Sequence, residues 1–232
     1  MSFVRWFTDP SHWQGVDGVP ARVLQHVQLS GFAMLCAVAV ALPTGVLMGH
    51  SRRGGLLAIS VVNIGRAIPS FAIVAVALPI TIRLGLGFGF WPTFLAVVLL
   101  ALPPIFTNAY TAIRGVDAQI VDAARGMGLR ERELLLGVEV PLGAPVIMAA
   151  VRVAAVQIVA TAPLGAVVGW GGLGRFIIDG LSQFDIPQVF AGAVLVAVLA
   201  IATDAALGLL QRFLLPAGVR RMSRAEAAAT VV

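Results

Sequence analysis

The chain has 232 residues, 59% hydrophobic and only 12% charged, with a mean hydropathy of +0.96. A soluble domain carries roughly a quarter charged residues, so this composition excludes one and points to a chain embedded in a bilayer. The net charge of +5 does not argue for nucleic acid, because the basic residues lie between apolar runs rather than in a stripe interleaved with aromatics.

All 16 basic residues are Arg, and without Lys the chain cannot hold a G-x-x-x-x-G-K-[ST] phosphate loop. If ATP drives its function, another subunit binds the nucleotide. The lone Cys36, in "GFAMLCAVAVAL", reads as a small apolar residue, and His12, His26 and His50 fit no zinc spacing. No Ser/His/Asp arrangement or paired acid and base stands out, so no catalytic, cofactor-binding or metal-binding residue is expected.

The opening "MSFVRWFTDPSHWQGVDGVPARV" has acidic residues, two Pro and no apolar core, which is unlike a cleavable signal peptide. Phe3, Trp6, Phe7 and Trp13 suggest an amphipathic segment with its rings at headgroup depth, the plain alternative being a disordered tail. Residues 1–23 are therefore expected outside the membrane. Five apolar spans follow, near 24–49, 56–83, 91–113, 143–163 and 188–211, the second interrupted by "GRAIPSF". Together they make a membrane domain over 24–213, with 214–232 as a tail.

Arg placement orients the spans. Arg52, Arg53, Arg114, Arg125, Arg130, Arg132, Arg212, Arg220, Arg221 and Arg224 fall on one side, against Arg5, Arg22, Arg83 and Arg175 on the other. The positive-inside rule makes the richer side cytoplasmic, with the N-terminus outside and the C-terminus inside. Arg66 and Arg152 remain within spans, where each either serves a pathway or helix contact or snorkels to the nearer interface. Pro43, Pro69, Pro79, Pro103, Pro104 and Pro163 interrupt or end apolar runs and kink their helices, a weak sign of a moving path.

Between the third and fourth spans lies the charged island "DAARGMGLRERELLLGVEVPLGAP". "QIVDAARGMGL" is expected as one short helix stopped at Gly128, and "RERELLLGVEV" as a second leading to Pro141. Ala123, Ala124, Gly126 and Gly128 leave part of this bent element nearly bare, as docking into another protein's groove requires.

The island resembles the cytoplasmic loop of bacterial ABC importer permeases, E-A-A-x-x-x-G-x9-I-x-L-P, with Asp122, Ala123, Ala124, Gly128, Val138, Val140 and Pro141 at the matching positions. Asp replaces the usual Glu, and Val stands at both aliphatic positions. "WQGVDGVPARVLQHVQLS", "GRAIPSFA", "LPPIFTNAYTAIRGVD" and "VVGWGGLGRFIIDG" further resemble permeases for quaternary-ammonium osmoprotectants, over about residues 12 to 213.

The resemblance implies an all-α membrane protein of the methionine-importer type, with five core helices and a cytoplasmic coupling loop over 114–141. It implies import of glycine betaine, carnitine, choline or another small solute such as an amino acid. This chain would bind no cofactor, ATP and Mg lying on two partner ATPases in the bacterial inner membrane. A second copy or similar permease and an extracytoplasmic binding protein, whose aromatic cage holds the cation, would complete the importer. Asp122, Ala123, Ala124, Gly128, Val138 and Pro141 are then the coupling residues. Arg66, Pro69, Ser70, Trp170, Gly172, Leu173 and Gly174 are candidates for pathway or gate, the last four from the turn "GWGGLGRF". An ion-coupled secondary transporter fits less well, since the two halves show no internal repeat, and a scaffold protein would need no groove-filling loop.

Overall fold

A computed structural model describes residues 3–52, 59–60 and 67–214. Its helices are α1 (Phe3–Thr8), α2 (Val19–Ser51), α3 (Ser70–Arg83), α4 (Phe90–Arg114), α5 (Ala118–Gly126), α6 (Glu131–Leu134), α7 (Val140–Thr161), α8 (Gly174–Ser182) and α9 (Ile186–Leu214). No strand occurs among the described residues. Four stretches are long and apolar enough to cross a bilayer: Val19–Ser51, Phe90–Arg114, Glu131–Val168 and Ile186–Phe213. The second expected span is broken where "GRAIPSF" signals it, with Pro69 extended and α3 starting at Ser70. Its first half falls mainly on residues outside those described, as do Arg66, Arg53, Arg220, Arg221 and Arg224.

The bundle is organised by a seam of small residues. Ala33, Ala37, Ala41, Gly45 and Gly49 recur every four residues along α2 and are all buried. They meet Ala101, Ile105, Ala109 and Ile113, which recur at the same spacing on α4. Lipid tails are as apolar as side chains, so helices in a membrane gain by close contact, and small residues permit it. A Cβ on Gly45 would lie 2.7 Å from the Phe106 carbonyl oxygen, and one on Gly49 2.8 Å from that of Tyr110.

α7 packs against α4 and carries α9 on another side through a charged contact. Arg152 donates from Nε and Nη2 to the Asp204 carboxylate at 2.8–3.1 Å. Of the two sequence readings for Arg152, the helix-to-helix contact is the one observed.

Two expectations need correction. "RERELLLGVEV" is not a separate short helix, because α6 passes through a π turn, Leu135–Glu139, directly into α7. Pro141 does not end the run, because the wider π turn just before it takes up the proline ring and its missing N–H. The second correction is Trp6, whose ring is covered by protein, 1% exposed, rather than presented to its surroundings. The 3-10 turn Pro10–Trp13 folds the N-terminal segment back, so that His12 stacks on the indole at 4.3 Å while Phe176 meets its edge at 5.3 Å. Trp13 stays 43% exposed.

The seam makes a simple comparison possible. Gly45→Ala forces α2 from α4 and is expected to destabilise by about 1–3 kcal/mol, as overpacking does. Gly31→Ala on the same helix meets nothing within 4 Å and should be neutral or stabilising by up to about 1 kcal/mol, from helix propensity alone. Thermal denaturation of the two variants in detergent, each against wild type, measures the difference.

Candidate functional site

The loop between α4 and α7 is built around a small core of its own. Asp117 caps α5 by accepting from the Gln119 amide at 2.8 Å. Val121 and Ala124, one turn apart, point inward against Leu134, with Val116, Leu129, Val138 and Leu142 around them. Ala124 is therefore 3% exposed and does not form the bare outer surface expected of it. The helical period that turns Val121 and Ala124 inward turns Ile120, Ala123 and Met127 outward, with Met127 75% exposed. This outward apolar stripe went unread in the sequence, although its spacing was available.

Gly128 ends α5 by conformation and not by bulk. Its φ is +86° and a Cβ would meet nothing within 4 Å. The Gly128 amide donates to the Arg125 carbonyl and the Leu129 amide to that of Ala124, the paired bonds of a left-handed helix stop. The Glu133 carboxylate accepts from the Arg130 amide at 2.8 Å and starts α6. Asp122 is exposed beside Arg125 at 3.8 Å, and Val138 and Pro141 are half-buried where the loop joins α7.

A chain of charges ties this loop to the bundle. Arg125 on α5 donates from Nε and Nη2 to the Glu131 carboxylate at 3.0 and 3.1 Å. That hydrogen-bonded guanidinium holds the Glu131 carboxyl below the usual carboxylate range. The other face of Glu131 lies 3.2 Å from Nε2 of His50, the last turn of α2. Nδ1 of His50 meets the carboxylate of Glu139 at 2.5 Å, and the Glu139 side chain is 3% exposed. The hub thus joins α5, α6, the end of α2 and the π turn. Neither His50 nor Glu139 was singled out from sequence. The available signal was a lone carboxylate in "LLLGVEVPLG", since a charge among apolar residues requires a partner.

At the opposite end of the bundle, "GWGGLGRF" is packed as well as turned. The Gly172 amide donates to Gln25 on α2 at 2.9 Å, and Gln25 also accepts from Arg22 at 3.1 Å. Nε2 of His26 meets the Val159 carbonyl at 3.0 Å just beneath. Trp170 is half-buried with Phe90 edge-on at 4.9 Å. Leu173 is fully buried in the cluster containing Trp6, Val19 and Phe176, and a Cβ on Gly174 would lie within 2.6 Å of Pro163 backbone atoms. Pro69 and Ser70 stand at the start of α3. Among the described residues, no group of three or more His, Cys, Asp or Glu could hold a metal ion.

Residues 41–216 match the family described as binding-protein-dependent transport system inner membrane component. The chain is 38% identical to the carnitine transport permease protein OpuCB of Listeria monocytogenes, covering 84% of this chain and 88% of that one. It is 36% identical to the choline transport system permease protein OpuBB of Bacillus subtilis, over 87% and 90% of the two chains. With the osmoprotectant import permease protein OsmW of Salmonella typhimurium it shares 34% identity, over 84% and 91%. Its fold is that of a chain in the inward-facing MetNI methionine ABC transporter, with a TM-score of 0.74 at 21% identity over 88% of this chain and 97% of that one. The chain therefore belongs to the binding-protein-dependent transport system inner membrane component family, as a non-catalytic ABC permease subunit that works with a separate ATPase and a substrate-binding protein.

Proposed function

We propose that this permease imports a small quaternary-ammonium osmoprotectant, such as glycine betaine, carnitine or choline, across the bacterial cytoplasmic membrane. The solute class rests on the relatives, whose names are carnitine, choline and osmoprotectant permeases over 84–87% of this chain. Two permease subunits, identical or similar, frame the path, and two ATPases carrying ATP and Mg sit beneath them. The Ser51 end of α2, the loop over 114–141 and the residues after 213 face the cytoplasm, as the Arg distribution favours. Uptake of radiolabelled glycine betaine by cells carrying the intact importer, against a strain lacking this chain, tests the reading.

The loop is the coupling element in this scheme. Ile120, Ala123 and Met127 present an apolar ridge to an ATPase groove, while Asp122, Gly128, Val138 and Pro141 fix the shape behind it. ATP favours one arrangement of the ATPase pair, and coupling requires that arrangement to favour one permease state. The His50 hub supplies a route: α5 pulls Glu131 through Arg125, Glu131 pulls the end of α2 through His50, and His50 pulls α7 through Glu139.

Orientation is checked by cysteine labelling of intact cells. Cysteines at Ser51 and Arg130 should be shielded from an impermeant thiol reagent, and one at Gly15 should react. Labelling of Arg130→Cys from outside reverses the orientation.

For the loop, Gly128→Arg should cost about 1–2 kcal/mol of local backbone strain and displace the ridge. The expected variant is present at normal levels, but loses its ATPase on purification or keeps it without solute-stimulated hydrolysis. Arg130→Ala, at the exposed rim, should change little. Co-purification and glycine betaine uptake near wild type in Gly128→Arg would remove the loop from the coupling path.

The hub gives an ordered pair. His50→Ala leaves the Glu139 carboxylate buried without a partner, a loss of about 3–5 kcal/mol. Glu139→Gln keeps a hydrogen-bonding group of similar shape against His50 and should cost about 1–2 kcal/mol. Solute moved per ATP hydrolysed should fall in the same order, with ATPase retention unchanged in Glu139→Gln.

A further inference from the structure

The Arg152–Asp204 pair lies well inside two apolar spans, Glu131–Val168 and Ile186–Phe213. Arg152 is about 18 Å along α7 from Val140, and Asp204 about 15 Å along α9 from Leu214, at 1.5 Å per residue. The hydrocarbon core is about 30 Å thick. Both groups are nevertheless open, with side chains 32% and 47% exposed. Charged groups at this depth face a wet cavity or another protein surface rather than lipid.

The surroundings have the form of a path wall. An open groove of about 460 Å³ lies on one side, lined by Pro104, Asn108, Val153 and Gln211. Another open groove, of about 400 Å³, lies on the other, lined by Val153, Gln157, Ile201 and Asp204 itself. Gln211 accepts from Nη1 of Arg152 at 3.3 Å. Oε1 of Gln157 is buried without a hydrogen-bond partner among the described residues. A Cβ on Gly208 would lie 3.3 Å from the guanidinium carbon, so glycine leaves the Arg152 head room against α9.

We propose that the face formed by α4, α7 and α9 is the mid-membrane wall of the solute path, and that the Arg152–Asp204 pair holds a small zwitterion there. The solute carboxylate lies against the guanidinium and its cationic head against the Asp204 carboxylate. The inference rests on the osmoprotectant reading for its solute but not for the path. A lone cation or anion meets a partner already neutralised, whereas a zwitterion lies antiparallel to the pair, serves both charges and brings no net charge to mid-membrane. Val153, Val156, Ala200 and Ile201 supply apolar wall for methyl and methylene groups.

The test uses the complete importer of permease, ATPase and binding protein in proteoliposomes, with Cys36→Ala as background. Val153→Cys and Ile201→Cys are labelled with a hydrophilic methanethiosulfonate reagent, nucleotide-free and vanadate-trapped, with and without glycine betaine. Leu35→Cys, near the middle of α2, 70% exposed and outside both grooves, is the control away from the path face. Both path positions should react in at least one state, at rates about tenfold or more above Leu35→Cys, with betaine slowing them several-fold. Slow labelling at all three positions would place the face against lipid and overturn the path. Rapid labelling that betaine leaves unchanged would overturn the solute site.

Uptake separates the site from a mere pin between helices. Arg152→Gln should reduce glycine betaine uptake about tenfold or more relative to choline, which has no carboxylate, and Arg152→Lys should recover part of the loss. An equal loss for both solutes in Arg152→Gln, unrelieved by Lys, would make the pair a pin only. Should the wild-type importer take up neither solute, the osmoprotectant reading fails, and the labelling of Val153→Cys and Ile201→Cys still decides the path.

Discussion

The approach of α2 to α4 constrains the rest of the structure. Five small residues on α2, at a spacing of four, lie against four positions of the same spacing on α4, two of them alanine. In lipid no hydrophobic drive pulls helices together, so the association depends on contact density, and at Gly45 and Gly49 the backbone itself is the contact surface. The result is a stiff two-helix bar. Its Ser51 end carries His50 into the charged hub, and its Val19 end carries Gln25 and His26 against the turn at Gly172 and the Val159 carbonyl.

Polar side chains then decide how the other helices attach to that bar. His50 joins α2 to the start of α7, His26 joins α2 to the far end of α7, and Arg152 joins α7 to α9. Each contact has discrete donors and acceptors at fixed positions along a helix. Apolar surfaces slide past one another with small penalties, whereas a hydrogen-bonded pair at membrane depth keeps its register or loses its partner. The polar joints therefore set register, while the small-residue seam sets distance.

How much of this was legible in the sequence follows from the range of each interaction. The spans and the break before Ser70 were readable because they rest on composition and on one proline. Gly128 was readable because a left-handed stop is a local property. His50 and Glu139 are 89 positions apart and Arg152 and Asp204 are 52 apart, so their pairing depends on the packing of whole helices. Ala124 and Trp6 were misread for a related reason. An alanine in a charged loop and a tryptophan near an N-terminus have ordinary surface explanations, and only the small core around Leu134 and the pocket beside Phe176 turn them inward.

α7 connects the charged hub at His50 to the Arg152–Asp204 pair. Its first residues continue the π turn that holds Glu139, and Arg152 lies about three and a half helical turns further on. At about 100° per residue, thirteen residues bring the chain roughly 220° around the axis, so Glu139 and Arg152 project from nearly opposite sides of the helix. One faces the hub and α2, and the other faces α9. A π turn is a wider, less regular ring than its neighbours and a common place for a helix to change direction. Under the proposed coupling, a small tilt of α7 about that turn moves Arg152 on its far side by more than it moves Glu139, because displacement grows with distance from the pivot. The same rigid helix that accepts a pull at the loop would thus widen or narrow the space beside Asp204.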